Sequence, residues 1–411
     1  MTLSSVLKGR APVVLLEVAN VTSGVGNGIV IVLLPWLVLQ RTNSPAAAGL
    51  VAAISTIPAL VVIPLVGAAI DKYGRKPLSV LSDIASALSV IAFPIVGWVI
   101  GLNLASIIVL AIIGASLDPA GYTARKSLIV NAARAGNIRL ESLNGVHEAL
   151  FAVGWTLGPL IGALLIGALG AEQAFWIPGA LFVIAAVCIL AMRVPDAGRP
   201  ATSDDPDATS GWRNLTRGFA ALWADRALRT LTIAIMVLAG VYLPTEAVLL
   251  PVHFEALDQP RGLGIVIGAL AGGGVIGAFA YGWLSNRFTQ YRIVQISLIG
   301  TVFGIVPMSF LPPLPFLASA GFVLGLSWGP MQPLLNTLVQ RRIPDREQGR
   351  VFSVQLTAFY VFPPLAMLAT GASIEQWGIA PVYPVIAGLL IITGIVTLSL
   401  RAIRDIDSRV S

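Results

Sequence analysis

Apolar residues run through this chain in long blocks, separated by short clusters of Gly, Pro, Lys, Arg, Asp and Asn. Twelve such blocks occupy roughly 12–39, 47–70, 78–100, 104–124, 142–167, 174–193, 228–253, 262–285, 293–311, 315–339, 351–373 and 381–400. Each holds about 18 or more residues, enough for a helix to cross a ~30 Å hydrocarbon core. The pattern predicts an all-α membrane protein of twelve transmembrane helices. Composition agrees: of 411 residues, 56% are hydrophobic and 11% charged, and the mean hydropathy is +0.86, far above that of soluble domains.

Placing the basic residues on these spans tests their number. With the N-terminus inside, all of the 26 Lys and Arg except Arg41 and Arg261 fall on the cytoplasmic side, where short loops retain positive charge. One miscounted span would scramble that split, so both termini are expected in the cytoplasm. The net charge of +6 is dispersed over loops, which argues against nucleic acid as a partner. The first span follows a short basic leader but exceeds a typical signal-peptide core, and it reads as an uncleaved helix. Cys188 is the single cysteine and is expected to pack; neither a metal site nor a cofactor is expected.

A polar stretch near 194–227, with Pro195, Pro200, Asp204, Asp205, Pro206 and Asp207, separates six spans from six. The expected organisation is an N-terminal half 1–193, a loop 194–227 and a C-terminal half 228–411. The halves share a faint repeat. Gly67-x-x-x-Asp71-Lys72-Tyr73 returns as Gly282-x-x-x-Asn286-Arg287-Phe288, and Leu34-Pro35 returns as Leu250-Pro251. Six-helix repeats of this kind form an architecture of secondary transporters.

The loop Gly67-Ala-Ala-Ile-Asp71-Lys72-Tyr73-Gly74-Arg75-Lys76 combines a tight reversal with an acid and three cations at the membrane surface. It resembles the signature loop of the major facilitator superfamily. The resemblance, with twelve spans and a mid-chain loop, covers the whole chain and implies a conformational latch built from Gly67, Asp71, Gly74 and Arg75, with Asp118 as a further partner. The fifth span carries Gly145-x8-Gly154-x3-Gly158-Pro159-x2-Gly162-Ala163. Small residues at this spacing let helices approach closely in lipid. The full spacing resembles the antiporter motif of the superfamily's drug exporters, with Ala163 where a last glycine is usual. Pro35-Trp36-Leu-Val-Leu-Gln40 and Leu143-Asn144-x-x-x-Glu148 are similar to strings of the branch with Tap-like, macrolide-efflux and enterobactin-exporter proteins.

Other patterns carry less. Gly272-Gly-Gly274-Val-Ile-Gly277 matches a dinucleotide fingerprint in letters, but it lies inside a span with no preceding strand. His147-Glu148 begins like a zinc-protease motif, yet Phe151 stands where a second ligand would be. No nucleophile–base arrangement remains, and no enzyme activity is expected.

Ionisable groups in membrane helices are costly and mark function by default. Glu17, Glu148 and Glu246 are the candidates for proton coupling, because a carboxyl held away from water exchanges protons more readily near neutral pH. Asp83 and Asp118 lie nearer the inner surface. Glu17, Asn20, Gly24 and Asn27 form one stripe of the first span, expected to face a central cavity. Asn27 sits between Gly26 and Gly28, where similar exporters often have an acid. Trp36, Tyr122, Phe151, Trp155, Tyr242, Trp328 and Tyr360 are candidate cavity walls for an amphipathic or cationic molecule. The resemblance implies a proton-driven exporter of small organic compounds, monomeric, multi-pass in a bacterial inner membrane. A siderophore or lipid exporter, a proton-coupled importer and a non-transporting sensor or scaffold stay open.

Overall fold

The computed structural model describes residues 3–56, 58–59, 62, 69–70, 72–138, 140–194 and 211–407, and these are helical almost throughout with no strand. Unit by unit, the elements are α1 Leu3–Thr42, α2 Pro45–Ile54, α3 Arg75–Val99, α4 Leu104–Gly136, α5 Leu140–Leu169 and α6 Trp176–Ala191. They continue with α7 Gly211–Ala224, α8 Arg226–Ala256, α9 Pro260–Arg287, α10 Gln290–Ser309, α11 Leu314–Val339, α12 Asp345–Trp377 and α13 Ile379–Ser399. Among the described residues, 11 helices are long and apolar enough to cross a membrane. The expected second span begins as α2; its positions 57, 60–61 and 63–68 lie outside the described residues.

The chain divides into two compact units, Met1–Asn43 with Ile54–Pro206, and Ser44–Ala53 with Asp207–Ser411. This division differs from halves cut at a single loop. The start of the second span packs with the second unit because Gly49 meets Gly371 of α12, where an added Cβ would stand 3.2 Å from the Gly371 Cα. Glu375 of α12 adds a clasp, accepting the Ala46 amide at 2.9 Å and the Ser44 hydroxyl. The polar stretch also departs from expectation. From Gly211 it is helical, and α7 packs on α12 with Gly218 against the Arg350 backbone. Phe219 and Trp223 of α7 stack at 5.0 Å, an apolar stripe that a composition average dilutes.

In the first unit α1 packs most extensively on α5, α3 on α4, and both α1 and α3 on α6. Cys188 is free and packs beside the apolar core around Leu16, Leu128 and Ile189. Helix α4 starts on an Asn103–Ser106 capping box and stops where Asn137 takes the left-handed conformation and its N–H caps the Ala133 and Arg134 carbonyls. Between Tyr122 and Gly136 nothing breaks the helix. It therefore runs well past the expected end near 124, and Arg125, Lys126 and Arg134 are helix residues, not loop residues.

In the second unit, Pro244 interrupts α8 and a π-helical turn follows at Thr245–Leu249. Proline removes one backbone donor, and the ladder resumes one residue out of register. Glu246 sits on that turn. Helices α9 and α11 meet through glycines, with Gly273 and Gly277 against the Phe322 and Leu326 backbone. The dinucleotide-like string is thus a helix contact.

Candidate functional site

At about 100° per residue, α5 presents two faces to the first unit. One carries His147, Gly154, Gly158 and Gly162, and the adjoining edge carries Glu148 and Trp155, with Phe151 between them and touching α1 at Gly24.

The glycine face meets α1 backbone to backbone. A Cβ on Gly158 would stand 2.5 Å from the Gly28 Cα and 2.8 Å from the Val25 carbonyl oxygen. One on Gly154 would meet the Val21 oxygen at 3.0 Å, and one on Gly162 the Ile29 oxygen at 3.0 Å. Pro159 flanks the same contact, its Cδ lying 3.0 Å from a Cβ built on Gly28. Gly145 belongs to α5, but its surroundings lie outside the described residues.

Polar groups continue that contact. Glu17 Oε1 of α1 lies 3.1 Å from His147 Nδ1, and Asn20 donates to the His147 carbonyl at 2.8 Å and to Glu17 Oε2 at 3.4 Å. A carboxylate and an unprotonated ring nitrogen both only accept, so one proton must lie between them. All three side chains are buried. Glu17 and the Asn20 side-chain nitrogen thus meet α5 at His147. Sequence reasoning treated His147 only as a failed zinc motif; its partner lies 130 residues away on α1, beyond any local spacing rule.

Two more polar groups tie α4 to its neighbours. Arg125 donates to Asp83 of α3 at 2.7 Å and to Ser23 of α1 at 2.8 Å, and both ionic side chains are 2% exposed. Asp118 accepts from Asn27 of α1 at 2.9 Å. It is not the partner of Arg75, which donates to the Asn131 side chain at 3.0 Å and the Ser127 carbonyl at 3.4 Å. Asn131 is about 20 Å along α4 from Asp118, out of reach of one side chain. Gly74 has φ 88°, a conformation that favours glycine, and it begins α3 directly before Arg75. Gly67 and Asp71 lie outside the described residues.

The second face of α5 forms an open ledge with α4. Lys126 Nζ pairs with Glu148 Oε1 at 2.5 Å, the two side chains 50% and 48% exposed. Tyr122 donates its hydroxyl to the same carboxylate, 3.3 Å from Oε2. Lys126 Nζ also lies 5.6 Å from the Tyr122 ring centre. The ring of Tyr122 is 4.9 Å from that of Phe151, and Phe151 is 5.8 Å from Trp155. The ledge thus joins one carboxylate to three successive aromatic rings. Glu148, a proton-coupling candidate by sequence, pairs with Lys126, a residue expected in a cytoplasmic loop.

The second unit places Tyr242 of α8 on Trp328 of α11, stacked at 5.2 Å, with Glu246 one turn beyond Tyr242. Tyr360 is half-buried on α12, its ring 6.4 Å from Phe359. Trp36, by contrast, is 1% exposed.

A family model described as Major Facilitator Superfamily matches residues 16–367. The chain is 34% identical over 401 residues to "Multidrug efflux pump Tap" of Mycolicibacterium fortuitum, covering 97% of this chain and 98% of that protein. It is 22% identical over 382 residues to "Macrolide efflux protein A" of Streptococcus pyogenes, covering 90% of each. In fold it is similar to the crystal structure of the nucleoside transporter NupG, with a TM-score of 0.79 at 12% identity over 94% of this chain and 98% of that one.

Proposed function

The chain belongs to the Major Facilitator Superfamily, and on that premise we propose that it is a proton-coupled exporter of small amphipathic organic compounds, including drugs, that works by alternating access. The observation that carries this reading is the ledge of Glu148 with Tyr122, Phe151 and Trp155. A carboxylate beside a run of aromatic rings suits a cationic or amphipathic guest, since the rings offer apolar area and their faces attract positive charge. The names of the relatives, a multidrug efflux pump and a macrolide efflux protein, point the same way.

Each proton entering down the membrane potential supplies roughly 2.3 kcal/mol per 100 mV. Glu148 is the candidate carrier on the ledge, and Glu246 on the π turn is its candidate counterpart in the second unit. The glycine contact of α5 with α1 serves as the rigid support of the ledge. Arg75, which begins α3 next to Gly74 and bonds to Asn131 of α4, serves the latch with Asp71. The distribution of basic residues supports a bacterial inner-membrane orientation with both termini in the cytoplasm, with one copy of the chain as the working unit.

Purified protein in liposomes with an imposed pH gradient tests the reading against a panel of lipophilic cations, macrolides and tetracyclines. The expected result is accumulation of at least one class that stops when a protonophore collapses the gradient. Flux that ignores the gradient would remove proton coupling.

A further inference from the structure

We infer that Lys126 is a tethered stand-in for the transported cation and sets the affinity of the ledge for cations. This rests on the proposed reading of the ledge as a substrate site.

The structure itself shows what an ammonium group does there. Lys126 Nζ makes the contacts that an organic cation would make, a 2.5 Å ion pair with Glu148 and a place 5.6 Å from the Tyr122 ring centre. Tyr122 supplies both a hydroxyl to the carboxylate and a ring to the cation. The bound group is thus recognised by charge and by an aromatic face together. The pair is also open, with each side chain about half exposed, so a ligand reaches it without unpacking the helices. Arg125–Asp83, a further ionic pair of this unit, is 2% exposed and offers no such access.

Lys126 occupies only the near end of the ledge. Beyond Tyr122 the rings of Phe151 and Trp155 continue at 4.9 and 5.8 Å, and the lysine's ammonium is held at the carboxylate end by its own stem. A guest that replaces Lys126 must match the ion pair and then gain on those further rings. Small hydrophilic ammonium ions match the first contact and gain nothing more. Cations with apolar or aromatic bodies gain on both, so the rings favour lipophilic organic cations over simple amines, while the lysine raises the affinity that any guest needs to occupy the carboxylate.

Equilibrium dialysis of purified protein with tetraphenylphosphonium and with methylammonium measures this directly. Lys126→Met removes the competitor, and half-exposed ion pairs are weak, so the expected gain in tetraphenylphosphonium affinity is about fivefold. Lys126→Met should also bind methylammonium more tightly by a similar factor, because the lysine competes equally with every cation at Glu148. Lys126→Arg keeps a tethered cation and should retain wild-type values, with size-exclusion profiles showing that all variants are folded. In a Glu148→Gln background the lysine substitution should change nothing, because the contested carboxylate is gone. An unchanged or weakened affinity in Lys126→Met, or a gain that persists with Glu148→Gln, overturns the inference while leaving the ledge as a binding site. Wild-type protein that binds no probe overturns the inference and the reading beneath it together.

Discussion

Glu17 and Glu148 are both carboxylates in membrane helices, the first bonded to His147 of α5 and the second carried by the next residue of that helix. Glu17 is buried against His147 on the face that α1 covers, beside glycines whose backbones touch. Glu148 stands on the uncovered face, 48% exposed, with Lys126 and an aromatic row. The first carboxylate has its partner locked inside a helix contact. The second has a partner that a ligand can replace. On the proposed reading, position on the helix, not the type of acid, separates a structural tie from a binding group.

The largest expected effect comes from breaking the closed face. Gly158→Leu must push α1 from α5, because even a Cβ at 158 would meet the Gly28 backbone at 2.5 Å. Transport should fall to the background of empty liposomes, and Gly158→Ala should lower the melting midpoint by the equivalent of about 1–3 kcal/mol. Unchanged activity and melting in both would mean that the helices are not packed at this distance.

A milder change sharpens the contrast. Glu17→Gln keeps the size of the side chain and an acceptor for His147 Nδ1–H, so the contact survives without its charge. The expected loss is about 1 kcal/mol of stability, with pH-gradient-driven transport retained. Loss of gradient coupling in this variant would move the coupling role to the closed face.

What could be read from sequence follows the same division. The spans were legible because about 20 apolar residues have few other uses than to cross a membrane. The Gly154–Gly158–Gly162 ridge was legible because close helix contact needs small residues at that interval. That Glu148 shares a face with Trp155 also follows from helical period. The pairings did not follow, since one helix's period says nothing about which helix covers which face. So Lys126 for Glu148, His147 for Glu17 and Asn27 for Asp118 came only with the packing. Lys126 was further hidden because apolarity ends near 124 while the helix continues to Gly136, through residues that favour helix and have no apolar signature. The amphipathic α7 escaped for a related reason, its aromatic stripe lying in a stretch whose average composition is polar.

The central claim is that the carboxylate of the open face couples substrate export to proton entry. Glu148→Gln in liposomes, assayed for uphill accumulation under a pH gradient and for downhill exchange without one, tests it most directly. The account predicts that uphill accumulation is lost while downhill exchange continues. A Glu148→Gln protein that still accumulates substrate uphill with wild-type pH dependence would contradict it.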